Sequence, residues 1–254
     1  MNGESYETQR NFTIWELLLE TWNLQSGCKW PIWAILLCGG LLSTLVQLII
    51  LFFLLPDPHH PPVLYAYLLS PLINSIILAP FLMGTLMIGI ERARGKPISV
   101  RSGFGYFYKT WPAIVTLFTI AFLSNITMYI VHLPSLVVAT GRWAVWLSLL
   151  AGIIAFLVYV FLLLSIPLVA DKHLSPWKAM STSMNVIKPC WLKVVGLLVV
   201  VYLLFILSIL PFFLGMLWHH YAGLVGAAIF IYLLIWLLPY LFLVQSMLYH
   251  RLMD

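Results

Sequence analysis

The sequence predicts an all-α polytopic membrane protein with six transmembrane helices in three hairpins, each preceded by an amphipathic helix at the cytoplasmic interface. Three observations carry that expectation. Of 254 residues, 63% are hydrophobic and 8% charged, with a mean hydropathy of +1.02. Soluble chains carry about 25% charged residues, so a water-facing surface cannot be assembled from this composition. The apolar runs exceed the roughly 20 residues needed to cross a hydrocarbon core, and they lack the alternation of strands. No water meets bare backbone in that core, which leaves helices or closed barrels. Finally, the basic residues gather at one set of span ends.

The expected spans are Ile32–Leu55, Leu64–Ile90, Trp111–Val131, Trp143–Ala170, Val194–Leu217 and Tyr221–Tyr249. The third is interrupted by Asn125, Thr127 and His132 and ends at Pro134. The first thirty residues carry Glu4, Glu7, Glu16 and Glu20 without a basic start before an apolar core, so a secretory signal is not expected there. All of the 13 Lys and Arg residues except Arg142 fall on one side of this topology. By the positive-inside rule both termini are cytoplasmic. The net charge of +5 then reports orientation and attraction to anionic phospholipid, and no basic stripe or RNA-binding signature points to nucleic acid. Cys28, Cys38 and Cys190 are an odd set on the reducing side, read as apolar side chains rather than disulfides.

The amphipathic helices follow from short stretches before the spans. Ser175 is a good N-cap, Pro176 suits the first helical position, and Trp177, Met180, Met184 and Ile187 fall on one stripe. Near the N-terminus, Thr13 and Glu16 have capping-box spacing, and Trp15, Leu18, Leu19 and Trp22 form the stripe. Thr13, Trp15, Asn23 and Cys28 match Ser175, Trp177, Asn185 and Cys190 without a gap. A third copy starts at Ser99, with Phe104 and Tyr108 in the places of Leu18 and Trp22, but Gly103 and Gly105 lower its helix propensity. The chain therefore reads as one integral membrane domain, 1–254, of three repeated units near 11–92, 97–170 and 174–250. Helices of this type lie in the headgroup layer.

The stretches "FTIWELLLETWNL", "GIERARGKPIS", "LSPWKAMSTSMNVIK", "LPFFLG" and "SMLYHRLMD" resemble the uncharacterised bacterial inner-membrane proteins related to YciC, also described as glycerophosphodiester-phosphodiesterase membrane-domain-like. The resemblance implies a six-helix protein of the bacterial inner membrane with cytoplasmic amphipathic helices. It brings no functional residues with it.

Candidate chemistry is sparse. His59 and His60 in "PDPHHPP", with His219 and His220 in "WHHY", are the only metal candidates with any clustering. Adjacent imidazoles diverge, so loop packing is the expectation and neither metal nor cofactor is assigned. Gln47, Asn74, Asn125 and Gln245 are the strongest polar groups inside spans. Such groups either bond between helices or line a substrate path. Pro71, Pro80, Pro167, Pro211 and Pro239 predict kinks. Glu91 with Arg92 and Arg94, and Asp171 with Lys172 and His173, are acid–base clusters at span ends that read as interfacial charge. No nucleophile elbow, zincin motif, P-loop or dinucleotide turn is present, so no enzyme is expected.

Lipid headgroups are expected at Arg92, Arg94, Lys96, Arg101, Lys172, Lys178, Lys188 and Lys193, with Trp15, Trp22, Phe104, Tyr108, Trp177 and Met184 as interfacial anchors. The composite expectation is a non-enzymatic membrane protein that engages lipid or organises the envelope, with a membrane-protein partner or a second copy left open. A small-molecule or lipid transporter is the alternative, and a membrane enzyme acting on lipid the third.

Overall fold

The computed structural model describes residues 12–54, 65, 69–135, 142–218 and 220–254. Among them every regular element is helical: α1 (Ile14–Ile49, continued by a π-helical turn, Ile50–Leu54), α2 (Ser70–Ala93), α3 (Val100–Phe104), α4 (Thr110–Ser135), α5 (Arg142–Leu162), α6 (Ser165–Lys172), α7 (Pro176–Ile187), α8 (Trp191–Trp218) and α9 (His220–Met253). Five helical stretches are long and apolar enough to cross a membrane: Ile14–Phe53, Ser70–Ala93, Val145–Lys172, Pro176–Leu217 and Tyr221–Met253. The expected third span corresponds to α4, of which Thr110–Ser124 is an apolar stretch among the described residues.

The chain packs as two compact units built from separated segments, which cut across the repeat boundaries expected from the sequence. The first comprises the described part of Met1–Trp33 with Leu86–Val100 and Cys190–Asp254. Its N-terminal helix starts where the sequence places it. The Thr13 amide donates to Glu16 Oε2 at 3.2 Å, and the Glu16 amide to Thr13 Oγ1 at 3.3 Å, a reciprocal capping box. The helix breaks at Ser26 (ψ 112°) and Gly27 (φ 95°), a left-handed turn that glycine adopts without steric cost. Before the break, Phe12, Leu17, Leu18, Thr21 and Gln25 are buried. Trp15 and Trp22, grouped with Leu18 by the sequence, are exposed.

Polar groups fasten this segment to α9. Tyr240 Oη donates to the Leu18 carbonyl at 2.9 Å. Pro239 has no amide, so the Ile235 carbonyl one turn back has no helical donor. Trp33 Nε1 fills that vacancy at 2.9 Å. The end of α2 joins the same unit: Ser246 Oγ lies 2.9 Å from the Leu86 carbonyl, and a Cβ on Gly89 would collide with that hydroxyl. Glycines also bring α8 and α9 together, Gly226 against the Pro211 carbonyl and Gly215 against that of Ala222. The contacts pair the two helices antiparallel, as small residues do in membrane bundles.

The second unit comprises Ala34–Thr85 and Arg101–Pro189. Here α1 and α2 run antiparallel, with Gly39 against Phe81 and Ser43 Oγ donating to Asn74 Oδ1 at 2.6 Å. Near the other end Gln47 accepts from Tyr65 Oη and donates to the Ser70 carbonyl at 3.5 Å. α3 is a single short helix that contains Gly103 and ends before Gly105. Gly84 lets the Gly103 carbonyl approach α2 closely, and Phe104 and Phe107 pack edge-on against Phe81 at 6.2 and 5.1 Å.

A second helix break falls at Leu163–Leu164, between α5 and α6. The Ser183 hydroxyl of α7 accepts from the Leu164 amide at 3.2 Å and donates to the Phe161 carbonyl at 2.7 Å. One fully buried hydroxyl thus satisfies both sides of the break and fixes α7 against it. α7 starts with extended backbone at Ser175 and proline next, as expected, although the Ser175 hydroxyl makes no cap bond. Ala179, Met180, Ser183 and Ile187 form the buried face, while Trp177 and Met184 are exposed. The gap-free match gives these positions the same burial as their partners: Leu17, Leu18, Thr21 and Gln25 are buried, Trp15 and Trp22 exposed.

Ser183→Ala leaves an amide and a carbonyl unpaired in a buried site, and is expected to lower stability by about 1–3 kcal/mol, read as a fall in the thermal midpoint in detergent. Trp33→Phe keeps the ring and strands the Ile235 carbonyl, and should cost roughly 1–2 kcal/mol by the same measurement.

Candidate functional site

The break in α1 builds a cavity with polar walls on the first unit. Beyond Gly27 the chain re-enters a helix, so Ser26, Gly27, Lys29 and Trp30 stand at a fresh helical N-terminus, where the backbone dipole is positive. Arg92 Nη2 donates to the Ser26 carbonyl at 3.4 Å, holding a second cation beside the turn. Lys29 Nζ lies 3.5 Å from the centroid of the Trp236 ring and 5.0 Å from that of Trp30. Such cation–π contacts contribute about 0.5–2 kcal/mol each and fix the ammonium in place. Trp236 in turn stacks on Trp22 at 6.0 Å, and Trp22 meets Tyr240 edge-on at 5.9 Å.

These groups enclose about 410 Å³, lined also by Asn23 and Gln25 and by no carboxylate. Gln25 is 2% exposed, and its Nε2 donates to the Trp236 carbonyl at 2.6 Å. A carbonyl only accepts, which assigns the amide orientation and leaves Oε1 on the other side. Oε1 has no hydrogen-bond partner among the described residues. On the other side of the Trp22–Trp236 pair runs an apolar groove of about 450 Å³, along Leu204, Leu207 and Ser208 of α8 and Tyr232, Leu233 and Leu237 of α9. Polar cavity and apolar groove therefore share one aromatic wall.

The basic residues expected at headgroups divide into paired and unpaired sets. Arg94 forms a two-bond pair with Asp254, 2.7 and 2.9 Å, which also meets His250 Nδ1 at 3.1 Å. Arg251 pairs with Glu20. Lys172 lies 3.7 Å from Asp171, and Lys193 Nζ stands 5.5 Å from the Phe12 ring. Lys96, Arg101, Lys178 and Lys188 are exposed. Of the expected anchors, Trp15, Trp22, Tyr108, Trp177 and Met184 are exposed, whereas Phe104 is half-buried in the phenylalanine cluster.

The intramembrane polar residues divide as well. Gln47 and Asn74 serve the α1–α2 pair of the second unit, and Gln245 is buried in the first. The side chains of Asn125 and His220 lie outside the described set, as do residues His59, His60 and His219. Among the described residues no group of three or more His, Cys, Asp or Glu side chains is placed to hold a metal ion. All three cysteines are free, Cys28 and Cys190 buried and Cys38 exposed.

Sequence reading passed over Lys29, Gln25, Trp236 and Ser183. The available signal for the first was a lysine set between Gly27 and Trp30-Pro31, where a helix has to restart. No family model, curated protein or solved structure matches the chain.

Gly27→Ala forces a side chain into left-handed backbone and is expected to destabilise the protein by roughly 1–2 kcal/mol. Because Lys29 and Trp30 are set by that turn, the tryptophan emission of the folded variant should shift as well, which a spectrum in detergent checks.

Proposed function

We propose that the chain is a six-span protein of the bacterial inner membrane, both termini cytoplasmic, that gathers anionic phospholipid at amphipathic interfacial helices and carries out no catalysis itself. The observation that carries this reading is α7. Its buried face is locked onto the protein through Ser183, while Trp177, Lys178 and Met184 are exposed on the same twelve-residue helix and Lys188 is exposed at its C-cap. Exposed tryptophan beside exposed lysine is the composition of a surface at the bilayer interface, where each cation near an anionic leaflet contributes about 1 kcal/mol. The shared burial register of α7 and the first part of α1 supports the same role for both. The bonds made by Gln47 and Asn74 within one helix pair favour packing over a substrate path, which weighs against the transporter reading.

Vesicle flotation of the purified chain is uninformative for an integral protein, so the test is lipid enrichment. After extraction from mixed vesicles of phosphatidylcholine and phosphatidylglycerol, the wild type should retain excess phosphatidylglycerol by mass spectrometry. The double variant Lys178→Gln, Lys188→Gln should lose about half or more of that excess if the two cations each contribute near the expected amount. Retention independent of lipid charge overturns the reading. A reporter fused after Asp254 that is active only in the cytoplasm tests the topology independently.

A further inference from the structure

The cavity at Lys29 offers something more specific than a charged surface. We infer that it is a discrete binding site for one anionic glycerophospholipid with a hydroxyl-bearing headgroup, the phosphate at Lys29 and one acyl chain in the groove beyond Trp22 and Trp236. The inference rests on the membrane reading above but not on α7.

Three features point to the same ligand. Lys29 is held in position by two indoles, and no acid among the described residues pairs with it. An ammonium so placed, at a helical N-terminus and with Arg92 on the adjoining carbonyl, is arranged to receive an anion. Gln25, buried to 2% exposure in the wall of the cavity, keeps an acceptor without a donor. A buried acceptor left unmet is costly, and a headgroup hydroxyl offsets that cost once binding brings it to the covered oxygen. No carboxylate lines the cavity to receive a headgroup ammonium, which favours a hydroxylated anionic headgroup over an ethanolamine or choline one.

The third feature is direction. The apolar groove leads from the Trp22–Trp236 pair toward the stretches of α8 and α9 whose apolar side chains face outward, including Leu207 and Tyr232. The opposite stretches, with Val194 and Leu197 on α8 and Leu243 and Leu248 on α9, are buried. A phospholipid has the same order of parts: a charged head, an interfacial glycerol level and an apolar tail. Aromatic side chains at the boundary match the interfacial level.

The test is native mass spectrometry of the full chain in detergent, titrated with phosphatidylglycerol. The wild type should keep one lipid at activation energies that strip the remainder. Lys29→Gln should weaken that one binding about tenfold, as loss of a charge-assisted contact does, and Lys29→Arg should restore most of it. Leu207→Trp, which fills the groove from an exposed position, should weaken it without touching the charge. Phosphatidylmethanol, anionic but without headgroup hydroxyls, should bind less tightly than phosphatidylglycerol. Retention unchanged in both Lys29→Gln and Leu207→Trp overturns the inference. So does displacement of the lipid by glycerol 1-phosphate at equal concentration, which assigns the cavity to a soluble phosphate. The Lys178→Gln, Lys188→Gln variant separates the two readings: it should lower general enrichment of anionic lipid and leave the single retained molecule in place. Loss of the retained lipid in that variant, with Lys29 intact, equally overturns the site at Lys29.

Discussion

The hydroxyl of Ser183 shows the constraint on which the rest of the structure depends. A helix that breaks inside apolar surroundings frees an amide and a carbonyl that water cannot reach, and each must find a partner within the protein. At Leu163–Leu164 a side chain twenty residues further on supplies both partners at once. At Pro239 the indole of Trp33 supplies the missing donor from more than two hundred residues away. These bonds do more than stabilise: they determine which helices meet. α7 sits where Ser183 can reach the break, and the start of the first span lies where Trp33 can reach α9.

Burial along the helices follows from the same arrangement. α9 is buried from about Tyr240 to Tyr249, where the N-terminal helix and the end of α2 cover it, whereas between Tyr221 and Tyr232 most of its large apolar side chains are exposed and Gly223 and Gly226 face α8. Its exposed stretch is apolar throughout, the composition of a surface that faces lipid rather than water. Where one surrounding medium is as apolar as the protein interior, burying leucine gains little, and helix pairing rests on close contact and hydrogen bonds. That is why the helix contacts fall at Gly39, Gly84, Gly89, Gly215 and Gly226 and at Ser43, Asn74 and Ser246 rather than at large apolar side chains alone.

The same physics sets what was legible in the sequence. Capping signals at Thr13 and Ser175 mark where two helices start, because cap chemistry is local. Pro239 marks a carbonyl without a donor, but nothing local names Trp33 as the group that answers it. The apolar stripes group residues that the structure separates: Trp15 is placed with Leu18 and Trp177 with Met180. Helical periodicity separates polar from apolar arcs, and in a membrane protein both the protein-facing and the lipid-facing arcs are apolar. Leu18 and Met180 are buried and belong to the first kind, while Trp15 and Trp177 are exposed. The small polar residues Thr21 and Ser183, which mark the protein-facing arc, look like solvent-facing residues to any reading based on hydropathy. The Lys29 cavity was invisible for a related reason, since half of its aromatic wall comes from the last helix.

Two kinds of cation follow from these environments, and they differ in what they can select. Lys178 and Lys188 stand on an exposed face, and their attraction to anions is screened over about 10 Å at ordinary salt. At an anionic bilayer, exposed charges of this kind attract anionic headgroups in general and do not distinguish one from another, because nothing holds the headgroup in a fixed geometry. Lys29 is fixed between two indoles, and Gln25 beside it is fixed by its bond to the Trp236 carbonyl. Fixed donors and acceptors discriminate, because a headgroup lacking the matching group leaves a buried atom unpaired. The turn at Ser26–Gly27 creates the difference: by stopping one helix and starting another it places a cation and a positive backbone end at one cavity, with buried Gln25 in its wall. A continuous helix would have carried Lys29 past that point on a regular surface, as one more charge among many.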